Sequence, residues 1–272
     1  MSLTTNSLGF RGPELVEERT DVLLCLGDSI TLGYGVDDGA EYPRVLQREL
    51  VRNGRAQAQV INAGIGATGN GRWLRFLQTE AAVYSTDYVV LQTTGNDIED
   101  NIRDSLYKLS SNGTLVSCSV SPPGLSRRLQ QIIEVVPGIA YSHLFCLARE
   151  AAGRLRPAGN KDSGTVRREE SGRPQEISQP EKLFLALIER SIELCRERGW
   201  PVLLVAVDFT PPRMEMLQSL ARRHRVPVIA IPKKSQRPDL YFRVDGHLNS
   251  AGHKFVAAQV AAEVLGKEPA IQ

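Results

Sequence analysis

Apolar residues along the chain follow two alternating rhythms. Short, nearly unbroken apolar runs have strand length and no polar face: "DVLLCL" (21–26), "AQVIN" (58–62), "YVVLQTT" (88–94), "PVLLVAV" (201–207) and "VPVIAI" (226–231). That is the pattern of strands covered on both sides of a parallel sheet. Between them lie segments with apolar residues at helical spacing. "YPRVLQRELVRNG" (42–54) sets Val45, Leu46 and Leu50 on one face, with Pro43 in its first turn and Gly54 past its end. "RWLRFLQTEAAVY" (72–84) and "RMEMLQSLARRH" (213–224) read as further helices, and "SAGHKFVAAQVAAEVL" (250–265) as a last one, N-capped by Asn249. Strands alternating with helices predict βαβ units and a doubly wound three-layer α/β/α sandwich on five parallel strands.

The rhythm breaks between about 98 and 180. A helical segment at 129–156 is followed by "RPAGNKDSGTVRREESGRPQEISQP" (156–180), whose Gly, Pro, Ser and charged residues have the composition of a mobile loop. Residues 1–272 therefore read as a single domain, with a helical and loop insertion at about 98–180 between the third and fourth strands.

Composition narrows the function. With 272 residues, 42% hydrophobic and 24% charged, the chain can bury a sizeable core, and its net charge of +2 is too small to make nucleic acid the main partner. No apolar stretch reaches the ~18 residues of a membrane span. No secretory leader is visible at Met1, so an untrimmed chain is expected in the cytoplasm and a trimmed one in the cell envelope. Cys25, Cys118, Cys146 and Cys195 lie far apart, which suits buried free thiols better than disulfides or a metal site. Oligomeric state is not encoded in any of these features.

In open α/β sheets ligands bind beyond the carboxyl ends of the strands. Polar and glycine-rich segments occur at those ends: "GDSITLGYG" (27–35), "NAGIGATG" (62–69) and "TGND" (94–97), with "DGHLNSAGH" (245–253) near the C-terminus. Within the second, Gly64, Gly66 and Gly69 spell G-x-G-x-x-G, a dinucleotide-binding pattern. That reading needs an acid at the end of the next strand, where this chain has Gln92 and Thr93.

The four segments, in this order and spacing, resemble those of the SGNH hydrolases, the GDSL esterase/lipase family. The resemblance spans 21–265 apart from the insertion, and "NSLGFRGPE" (6–14) is similar to the lead-in of many bacterial members. It implies a flavodoxin-like sheet and serine-dependent ester hydrolysis through an acyl-enzyme, with no cofactor and no metal. Ser29, on a sharp strand-to-helix turn permitted by Gly27, is the expected nucleophile, with the helix dipole aimed at its hydroxyl. His247 is the base and Asp245 the residue that orients it. The oxyanion needs donors: the Ser29 backbone N–H, the Asn96 side-chain amide and a third N–H from the glycine-rich loop. In the family that third donor is a glycine five residues after the leading asparagine. Counted from Asn62, the position is Ala67, and Gly66 and Gly69 are rivals.

The spacing Asp245-x-His247 is one residue shorter than the commoner family pattern, which would need an acid at Val244. Asp208, at the end of the fourth strand, is an outside candidate for the acid. Singly, each residue has a plainer reading: Ser29 as a helix cap, Asn96 as a turn residue, His247 as a surface histidine. Together they favour an esterase acting on small acyl, especially acetyl, esters of a carbohydrate or other small molecule. An O-acyltransferase moving acetyl to or from a carbohydrate would use the same acyl-enzyme. A binding domain that kept the fold without activity is the non-enzymatic alternative.

Overall fold

Among the described residues seven strands appear in chain order: β1 (Val22–Gly27), β2 (Gln59–Gly64), β3 (Tyr88–Thr94), β4 (Tyr107–Leu109), β5 (Leu115–Ser117), β6 (Val202–Val207) and β7 (Val228–Ile231). This computed structural model describes residues 2–16, 20–118 and 177–266. Five strands form one parallel sheet in the order β2-β1-β3-β6-β7, and β4 and β5 pair as a separate antiparallel hairpin. Leu24 of β1 is in register with Ile61 on one side and Val89 on the other, and Val90 of β3 with Leu203 of β6. The flavodoxin-like sandwich expected from the sequence is thus the observed architecture.

Every residue of β1 and β6 is buried, as their apolar runs require. Because successive side chains alternate in direction, the strands feed two cores. Leu24, Leu26, Leu91 and Leu204 pack with Trp73, Leu74 and Leu77 of α3 (Asn70–Thr79). Leu23, Cys25, Val90 and Leu203 pack with Tyr42, Leu46 and Leu50 of α2 (Tyr42–Arg52). The remaining α-helices among the described residues are the four-residue α1 (Ser29–Leu32), α4 (Asp97–Asp104), α5 (Gln179–Glu197), α6 (Pro211–His224) and α7 (Ser250–Leu265). α5 and α6 cover the α3 face, and α7 lies against α2.

Three readings of the pattern change. The helix expected at 72–84 divides into α3 and a 3₁₀ turn at Ala81–Tyr84, which ends at Ser85 in left-handed conformation. The region 98–118 carries most of α4 and the β4–β5 hairpin, so regular structure reaches into the expected insertion. At its other end α5 begins at Gln179 with a capping box, in which Ser178 accepts the Glu181 N–H and the Glu181 carboxylate accepts from Ser178 N. The helical segment at 129–156 and most of the loop after it lie outside the described residues. Cys25 and Cys195 are buried free thiols, burial pushing each up to about 12, whereas Cys118 is only half-buried. Cys146 lies outside the described residues. Among the described residues no helix is long and apolar enough to cross a membrane.

Candidate active site

β1 delivers Gly27, Asp28 and Ser29 to the carboxyl end of the sheet. Gly27 answers a need for space: a Cβ there would collide with Thr31 Oγ1 and Gln92 Oε1. Asp28, not Ser29, caps the short helix that follows, its Oδ1 accepting the Ile30 N–H at 2.8 Å. With four residues, α1 is too short to supply the macrodipole expected at the Ser29 hydroxyl. The turn is secured from the lead-in segment. The buried Arg11 guanidinium donates to the carbonyls of Leu32, Gly33 and Val36 at 2.7–2.9 Å, and to Asp38 Oδ1.

Ser29 is half-buried, and its Oγ lies 2.9 Å from His247 Nε2. The histidine rides on a loop closed by the Phe242 N–H to His247 carbonyl bond at 3.0 Å. Lys234 Nζ braces the same loop, donating to the carbonyls of Arg243 and Asp245 at 2.9 Å each. Tyr34, half exposed, stands over the histidine with 4.8 Å between ring centroids.

Asp245 Oδ1 accepts the His247 backbone N–H at 2.9 Å and stands 3.5 Å from His247 Nδ1, beyond hydrogen-bonding distance. Nδ1 is buried and has no hydrogen-bond partner among the described residues. Asp208 is exposed, has a left-handed backbone at φ 56, and shares no hydrogen bond or ion pair with His247.

The glycine-rich loop after β2 explains its own composition. A Cβ at Gly64 would strike the backbone of Thr31 and Leu32, and one at Gly69 would strike Asn101 of α4. These two glycines let α1 and α4 close on the loop. Gly66 lies beside Ser29, its Cβ position 3.9 Å from Ser29 Cβ. Ala67 has φ 57, a left-handed conformation that glycine adopts without strain and alanine does not. Its carbonyl accepts from Arg103 Nη2 at 2.6 Å. The backbone N–H groups of Ser29, Gly66 and Ala67 make no hydrogen bond among the described residues, whereas Gly69 N–H donates to Asp104 Oδ2 at 3.2 Å. Gly69 is therefore committed elsewhere, and Gly66 and Ala67 remain as the candidate loop donors.

Asn96 follows β3 at the N-cap position of α4, yet its side chain caps nothing. Its Oδ1 lies 2.6 Å from Thr94 Oγ1, and its Nδ2 donates to Asp100 Oδ2 at 2.9 Å. Asp100 in turn pairs with Arg103 at 2.7 Å. Beneath them Asp97 is fully buried, its Oδ2 accepting from Thr93 Oγ1, Thr94 N–H and Asn70 Nδ2. Burial first, then the neighbouring Asp28 carboxyl, pushes the Asp97 carboxyl well above the ordinary range. The sequence singled out neither this polar underlayer nor Arg103. "TGND" and "GDS" were the only signals, and they pointed to Asn96 and Ser29.

His253, on α7, is buried, and its Nδ1 accepts the Tyr42 N–H at 3.2 Å, a structural role. Burial, aided by the charges of Arg11 and His247, pushes it down to about 3.

No curated protein matches this sequence. Among solved structures, the psychrotrophic esterase EstA from Pseudoalteromonas sp. superposes with a TM-score of 0.53 at 12% identity, covering 91% of this chain and 98% of that one. TesA gives 0.51 at 15% identity, with 90% and 99% covered. The lipase/acylhydrolase from Enterococcus faecalis gives 0.50 at 16% identity, with 93% and 100% covered. These identities speak for a shared fold. The sequence profile of the GDSL-like lipase/acylhydrolase family matches residues 25–255, from the middle of β1 to the first turns of α7. The chain belongs to that family, and is a hydrolase of it.

Proposed function

We propose that this chain is a serine ester hydrolase, one domain with an insertion, that cleaves small acyl esters through an acyl-enzyme. The observation that carries the reading is the 2.9 Å contact between Ser29 Oγ and His247 Nε2, beside backbone N–H groups with no partner among the described residues. Ser29 Oγ attacks the ester carbonyl as His247 Nε2 takes its proton. The tetrahedral oxyanion is held by the N–H of Ser29, the Asn96 amide and the Gly66–Ala67 backbone. His247 then protonates the leaving alcohol, and a water deprotonated by the same imidazole releases the acid and restores Ser29. Asp245 orients the imidazole. A shift of a few tenths of an ångström brings its Oδ1 into bonding range of Nδ1.

Small acyl groups, acetyl above all, are the proposed substrates, on a carbohydrate or another compact alcohol. In support, the exposed ring of Tyr34 beside His247 offers an aromatic face on which a sugar ring can pack. p-Nitrophenyl esters of increasing chain length, followed by acetylated sugars, test the reading: acetate is turned over fastest, and all turnover disappears in Ser29→Ala. Release of free acetate in the presence of sugar acceptors identifies a hydrolase; acetylated acceptor in its place identifies a transferase.

A further inference from the structure

Thr94 carries one hydroxyl proton, yet its Oγ1 makes two short contacts with oxygen: 2.8 Å to Asp28 Oδ2 and 2.6 Å to Asn96 Oδ1. A third oxygen, Asp97 Oδ1, lies at 3.4 Å. One proton cannot serve both short contacts, so one partner must donate to Thr94. Asn96 could do so only with its amide reversed. That would set its carbonyl oxygen 2.9 Å from Asp100 Oδ2, on a carboxylate already paired with Arg103. The amide is therefore held with its oxygen toward Thr94, and the missing proton belongs to Asp28.

We propose that Asp28 works as a neutral carboxylic acid and a positioning residue: its Oδ2–H donates to Thr94, and the Thr94 hydroxyl donates to Asn96 Oδ1. The chain of two hydrogen bonds fixes the amide plane. One Asn96 N–H is taken by Asp100, and the other is left for the oxyanion. The inference rests on the oxyanion role of Asn96 proposed above.

The surroundings favour the neutral form. Asp28 is 2% exposed, and its Oδ1 is satisfied by the Ile30 N–H. Burial raises its carboxyl above the ordinary range, against the hydrogen bonds from Ile30, Thr94 and Gln92 and the nearby His247. The titratable groups facing it are His247, Asp97 and Tyr42, with Asp100 beyond Asp97. No lysine or arginine pairs with it among the described residues. The Asp97 carboxyl is raised too, but its Oδ1 stands 3.4 Å from Thr94 Oγ1 against 2.8 Å for Asp28 Oδ2, so the short contact that needs a proton is with Asp28. A neutral Asp28 also keeps negative charge away from the residue next to it, where the oxyanion develops.

The test uses kcat and KM for p-nitrophenyl acetate together with infrared difference spectra at neutral pH. Asp28→Asn supplies an amide N–H in place of the carboxyl O–H. It is expected to keep kcat about tenfold or more above Asp28→Ala, with KM little changed, since loss of an oxyanion donor acts on the transition state. Thr94→Ser is expected to exceed Thr94→Val in the same way. The wild-type minus Asp28→Asn spectrum should contain a protonated carboxyl C=O band that shifts in D₂O. Absence of that band, or Asp28→Asn as slow as Asp28→Ala in folded protein, overturns the relay. Asn96→Ala separates the two levels: full activity there removes the oxyanion reading, while the band still reports on Asp28.

Discussion

Ser29 and His247 are 218 residues apart in the chain and 2.9 Å apart in space. The contact predicts one uniquely reactive serine. A phosphonate ester should label Ser29 alone, and Ser29→Ala should lower turnover by about 10⁶-fold with the melting temperature nearly unchanged. Peptide mapping of the adduct checks it; label on another serine removes Ser29 from the chemistry.

The acid is tested by two variants. Asp245→Asn should cost up to about 10⁴-fold in kcat, because an asparagine there favours the wrong imidazole tautomer. Asp208→Asn, on an exposed residue with no bond to His247, should cost far less. The reverse order would move the acid to the end of β6.

Ala67 gives a prediction of opposite sign. Its left-handed backbone costs about 1–2 kcal/mol for a non-glycine residue, against a gain of about 0.4–1 kcal/mol from a stiffer unfolded chain. Ala67→Gly should therefore raise stability in urea by roughly 0–1.6 kcal/mol. The N–H is retained, so kcat should stay within a small factor. Gly64→Ala should instead cost about 1–3 kcal/mol, because its methyl meets the backbone of α1. Equal effects at the two positions would contradict the packing described.

His253 sets an acid limb of stability. Its folded value of about 3 lies below the ordinary 6.5, so the unfolded chain takes up the proton first as pH falls. The stability it contributes is present above pH 6.5 and is lost between about 6.5 and 3, at up to about 1.4 kcal/mol per pH unit. The raised carboxyls of Asp28 and Asp97 act in the other direction, protonating in the native state first and favouring it on acidification. Urea melts across this window for the wild type and His253→Asn isolate the histidine: the difference in stability should change with pH by that slope. A constant difference would mean His253 titrates normally.

Much of this arrangement was legible in the sequence because its signals are local. The run "YVVLQTT" coincides with β3, and Asn249 caps α7 where the pattern ended, its Oδ1 accepting the Ala251 and Gly252 N–H groups. The α5 helix carries a local signal too, since Ser178 and Glu181 stand three apart ahead of Leu183, Phe184 and Leu187, but the polar stretch it adjoins masks its start. The acid layer under Asn96 was a different matter. Asp28 and Thr94 are 66 residues apart and meet only because β1 pairs with β3, so no spacing rule could have joined them. Nor could the number of protons on that pair be counted before the distances were known.

Arg11 has a last consequence. Three carbonyls at the end of α1 depend on a guanidinium that arrives from before the first strand, and Ser2 and Thr4 reach Asp37 and Asp38 of the same loop. The shortest segment able to build the sheet and the shortest able to hold Ser29 in place thus have different starting points. A version begun at β1 would keep the sheet but lose Phe10 from one core and, with Arg11, the splint on the proposed nucleophile, so the lead-in segment serves packing and reactivity at once.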